Sequence, residues 1–123
     1  MRELHHGDDR CLWAGRLERP YDFRSPFADT DFVLLLAVFD PQVTPEEQSA
    51  LSDAIVDQAC RYAVCYGHGC STWDDSIDWS YLETDPKFDP PEDRFVMTAW
   101  QEETDHEGVA HTFVFCTSFD DFV

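Results

Sequence analysis

The chain predicts an α/β fold: a small three-layer sandwich with a mainly parallel sheet of three to four strands, strand 32–39 at its centre, and about three helices. Three observations lead there. Residues 32–39, Phe-Val-Leu-Leu-Leu-Ala-Val-Phe, are continuously apolar. They are too few for a typical helix and lack polar alternation, as a strand covered on both faces does. Residues 62–66, Tyr-Ala-Val-Cys-Tyr, read as a second buried strand. Between the two runs lies a helix with its own start signal. Strand, helix and strand within about 35 residues is the size of a right-handed crossover unit.

Residues 1–123 suit a single α/β domain. Apolar residues make up 43% and aromatic residues 15% of the chain, too much for a disordered acidic tail. The 26 acidic and 8 basic residues give a net charge of −18. Such a field repels phosphate backbones and anionic membranes, so nucleic acid and membranes are not expected partners. It favours encounter with a basic protein, and it also keeps a small protein dispersed. The five cysteines are odd in number, and no secretory signal is recognisable at residues 1–10. The expectation is a reduced, cytoplasmic chain with free thiols.

Taken in order, residues 1–10 are polar and expected to be mobile. Residues 11–17 suit a short edge strand or an irregular segment. Pro20 and Pro26 make 18–31 an irregular connection, with Tyr21, Phe23 and Phe27 tucked beneath it as a satellite cluster. After strand 32–39, Thr44-Pro-Glu-Glu47 opens a helix: a capping threonine, a proline at the first turn and a glutamate three residues on. Its apolar face runs through Leu51, Ala54 and Ile55, and its end is expected near 60–61. Gly67 and Gly69 flank His68 and relax the backbone for a tight turn. Ser71, with Asp74 three residues on, signals a second helix with Trp73, Ile77 and Tyr81 along one stripe and Asp74, Asp75 and Asp78 mostly off it. Prolines interrupt 83–93, a surface connection. Residues 94–100 form the third strand. Residues 109–116 favour a strand by residue type, while a helix from about 105 would align Val109, Phe113 and Cys116.

Ligands in an open parallel sheet bind beyond the carboxyl ends of the strands, near where the strand order reverses. That rim holds Asp40, residues 67–71 and residues 100–103. Cys70 with His68 is the candidate nucleophile and base, since a helix start lowers a thiol pKa. Asp74 and Asp75 in the first turn act the other way. Cys65, His68, Cys70 and Asp74 mix soft and hard donors, but Cys65 lies within a strand and no second Cys/His pair has zinc-finger spacing, so no metal is expected. The turn at 67–71 lacks the lysine of a phosphate-binding loop, and no cofactor is expected. His106 and His111 read as solvent or packing residues. Trp79 falls off the 73/77/81 stripe, and an exposed tryptophan among acids suits an interface anchor.

Residues 67–79, Gly-His-Gly-Cys-Ser-Thr-Trp-Asp-Asp-Ser-Ile-Asp-Trp, and 93–103, Asp-Arg-Phe-Val-Met-Thr-Ala-Trp-Gln-Glu-Glu, resemble a family of short bacterial proteins catalogued as a domain of unknown function. The similarity covers roughly 32–118. It implies an amphipathic helix over 105–117, against residue propensity, and Gly108 departs from the pattern. It implies no activity.

The functional expectation is a binding or regulatory module rather than an enzyme, docking a basic protein through Trp79, Asp74, Asp75, Asp78, Trp100 and Glu102. The alternative is a small cysteine-dependent enzyme with its site at the carboxyl edge of the sheet.

Overall fold

In the computed structural model, which describes residues 2–6, 11–28 and 30–101 together with residue 107, the chain begins with a hairpin. Arg2–His6 (β1) pairs antiparallel with Cys11–Ala14 (β2). Of residues 1–10, expected to be mobile, 2–6 form this strand, and residues 1 and 7–10 lie outside the described residues. Two short runs bracketing Gly7-Asp8-Asp9, a turn composition, were the available signal.

The connection at 18–31 contains no regular strand or helix among its described residues. Phe23 is buried in the main core rather than in a satellite cluster. Its ring lies 6.0 Å from Phe32, and Phe27 bridges Phe32 and Trp13 at 6.2 and 6.5 Å. Gln58 fastens this loop at both ends of its amide. Its Nε2 donates to the Phe23 carbonyl at 2.7 Å, and its Oε1 accepts from the Ser25 N–H at 2.6 Å.

The apolar run forms Phe32–Val38 (β3). Pro45–Asp57 (α1) follows, opened by the expected capping box: Glu47 N–H donates to Thr44 Oγ1 at 3.1 Å, and Thr44 N–H to Glu47 Oε1 at 2.9 Å. Such a cap contributes about 1 kcal/mol. The helix ends at Asp57, earlier than expected, because Ala59 turns left-handed at φ 76° and redirects the chain into Cys60–Gly67 (β4). Cys70–Leu82 (α2), a short 3₁₀ turn at Glu92–Arg94 and Met97–Gln101 (β5) complete the described elements.

β3, β4 and β5 are parallel, with Leu36 level with Cys65 and Cys65 level with Trp100. Their order is β3-β4-β5, so the central strand is β4, not 32–39. The physical reason is crossover direction. Right-handed connections that step the same way across a sheet place their helices on one face. α1 and α2 accordingly pack on each other and share one core with β4 through Leu51, Ile55, Ala63, Cys65, Trp73 and Ile77. The described residues therefore show two helices over one face of the parallel sheet, and a third layer is not among them; of 105–117, only residue 107 is described. No helix among the described residues is long and apolar enough to cross a membrane.

Candidate functional site

Successive helical residues are turned by about 100°, so Asp74 and Asp78 share one flank of α2 while Asp75 and Trp79 share another. The two flanks meet different neighbours, but one carboxylate oxygen from each of Asp74, Asp75 and Asp78 still lies within 4.8 Å of the others. α2 itself starts two residues earlier than a Ser71 cap implies, at Cys70. Its N-cap is Gly69 in a left-handed conformation, φ 67°, with no side-chain cap, so Ser71 does not play that part.

The first flank faces β5. Thr98 Oγ1 lies 3.1 Å from Asp74 Oδ1 and 2.8 Å from Asp78 Oδ1. Asp74 is only 5% exposed, although the sequence places it off the buried stripe. Its Oδ2 is buried and has no hydrogen-bond partner. Burial pushes the Asp74 carboxyl above the usual range, and the neighbouring charge of Asp78 adds to this; the Thr98 hydroxyl acts against them. Thr98 is the residue sequence reasoning missed. Its only signal is a hydroxyl between the apolar residues Met97 and Ala99.

The second flank borders α1. The helices approach closely because small residues meet there, with Ser52 Oγ 2.8 Å from Ser76 Oγ. Outside this contact lies a shallow groove of about 350 Å³. Its lining carries Asp53, Asp75 and Glu83 among neutral polar side chains and contains no lysine or arginine. Trp79 forms part of its wall and is 57% exposed. Its ring meets the equally exposed Phe88 edge-on at 6.4 Å. Sequence reasoning missed Phe88, which sits in the proline-rich connection.

At the carboxyl ends of the strands, Arg19 braces β3 to α1. Its guanidinium reaches Asp40 at 3.1 Å and Glu47 at 2.9 Å, and donates to the Gln42 carbonyl at 2.8 Å. The Tyr21 hydroxyl donates to Asp40 at 2.6 Å. That bond, followed by the Gln42 N–H, holds the Asp40 carboxyl below its usual range, with Arg19 and His68 contributing by charge. Trp100 is half exposed. Glu102 lies outside the described residues.

His68 is exposed, while the neighbouring Cys70 is buried in the core. Among the described residues no hydrogen bond joins the Cys70 thiol to His68. Burial pushes the Cys60 and Cys65 thiols from about 9 up to about 12. Both are therefore expected to resist a thiol reagent at pH 8 until the chain unfolds, while half-buried Cys11 reacts before them. The unfolded chain loses these protons at lower pH than the folded one. Stability from this source is thus intact below pH 9 and falls as pH rises from about 9 toward about 12. Urea denaturation across that range checks the sign; stability that rises with pH there contradicts it.

One family model, described as a domain of unknown function (DUF7684), matches residues 13–123. No curated protein and no solved structure matches the chain.

Proposed function

We propose that this chain, which belongs to the DUF7684 family, is a cytoplasmic protein-binding module that docks a basic partner on the helical layer. The observation that carries the reading is the exposed Trp79–Phe88 pair beside a groove whose only charged lining residues are acidic. A large ring held by a neighbouring ring loses little freedom on binding, and a desolvated tryptophan is a frequent anchor of interfaces. Asp53, Asp75 and Glu83 around it would pair with lysines or arginines of the partner. The net charge of −18 would speed the encounter and select against acidic competitors.

The test begins with partners cross-linked to the chain at low ionic strength, identified and then titrated in purified form. The captured protein is expected to be basic. Its affinity is expected to fall steeply as salt rises to about 0.5 M, where the Debye length is shorter than the spacing of surface charges. Trp79→Ala is expected to weaken binding roughly 30-fold, about 2 kcal/mol. A partner without excess positive charge, or one bound equally well by Trp79→Ala, overturns the reading.

A further inference from the structure

We propose that Asp74, Asp75, Asp78 and Thr98 form a binding site for a hard divalent cation of the Ca²⁺ or Mg²⁺ class, between α2 and β5. One carboxylate oxygen from each aspartate lies within 4.8 Å of the others. Two oxygens on opposite sides of a Ca²⁺ ion stand about 4.8 Å apart, so all three fit one coordination sphere.

An acidic cluster alone is no more than a solvated face. The independent observation is Asp74 itself. It is 5% exposed, and its Oδ2 is sealed from solvent without a partner. A buried carboxylate oxygen with nothing to bind is costly, and a positive group relieves that cost. The nearby donors cannot supply one. Thr98 has a single hydroxyl proton but stands within hydrogen-bond distance of both Asp74 and Asp78. Among the described residues no lysine or arginine forms an ion pair with any of the three aspartates. The arrangement is thus rich in acceptors and short of donors.

The donor set is entirely oxygen, which selects a hard ion over zinc or copper. The more open Asp75 and Asp78 leave a way in and room for water to complete the coordination. Asp75 also lines the groove of the docking reading, but ion binding needs no partner, so the two stand or fall separately.

The experiment uses the whole chain, freed of metal with a chelator and titrated calorimetrically with Ca²⁺ or Mg²⁺ chloride at pH 7. Thermal melts are recorded in parallel. Saturable binding with a Kd below about 1 mM and a rise in Tm with ion concentration are expected. Asp74→Asn is expected to weaken binding more than tenfold, and Asp78→Asn likewise. Asp57→Asn, on the exposed side of α1, is expected to bind as the parent does. The melts report folding of each variant, and Asp78→Asn serves if Asp74→Asn does not fold. No saturable binding, or equal binding by the parent and both site variants, overturns the proposal. In that case Asp74 is neutralised by a proton shared with Asp78.

Discussion

Gly67→Ala is expected to destabilise the chain by about 4 kcal/mol, far more than Gly69→Ala two residues later. Gly67 ends β4 at φ 95°, a conformation that side-chain-bearing residues rarely adopt. A Cβ there would collide with the Val38 carbonyl oxygen and come within 3.2 Å of the Phe39 ring. That carbonyl cannot retreat freely, because Val38 is the register partner of Gly67 and accepts the His68 N–H at 2.6 Å. Backbone strain of about 1–3 kcal/mol therefore adds to an overpacking cost of similar size. Gly69 is also left-handed, at φ 67°, but nothing lies within 4 Å of its Cβ position. Its substitution should cost only about 1–2 kcal/mol. Urea denaturation of the two variants makes the comparison. Equal losses would mean that the close approach of β4 to the end of β3 is not what Gly67 serves.

The second large effect is expected at Ile77→Ala, a loss of about 3–4 kcal/mol. Ile77 is fully buried at the middle of α2, between Trp73 and Tyr81, in the core shared with α1 and β4. Truncation leaves a void that the surrounding rings fill only in part. For a chain of this length the melting temperature should fall by roughly 15 °C. Ile77→Val, which removes one methylene, should cost about 1 kcal/mol. If Ile77→Ala costs no more than Ile77→Val, α2 does not hold the core together.

The strands and helices that carry the sheet were legible because their signals are local. Two oily runs, a Thr44–Glu47 capping box and the Trp73/Ile77/Tyr81 stripe each act within a few residues. What escaped depends on groups distant in sequence. Strand order is a choice between stepping on and stepping back, and no residue near 83–96 declares which. The burial of Asp74 depends on Thr98, 24 residues away, to satisfy one of its oxygens. The loop at 18–31 reads as loose, yet Gln58 and Phe32 draw Phe23 into the core from across the fold. Gly69, not Ser71, starts α2 because the chain must turn left-handed there after Gly67, and this leaves no position for a hydroxyl cap. Of the expected site residues, Trp79 stands exposed as the stripe argument requires, and Asp74, Asp75 and Asp78 each bring a carboxylate oxygen within 4.8 Å of the others, although Asp74 is buried.

The unreversed march from β3 to β4 to β5 has a consequence for where a ligand can sit. A sheet that doubles back sends its helices to opposite sides, and the gap between them is the ready-made pocket of many nucleotide enzymes. Here both described helices leave in the same direction, and the Arg19 brace occupies the segment just beyond β3. The binding proposed for this chain therefore lies on the outside of its helices, where α2 turns one flank to the β5 edge and the other to the Trp79 groove.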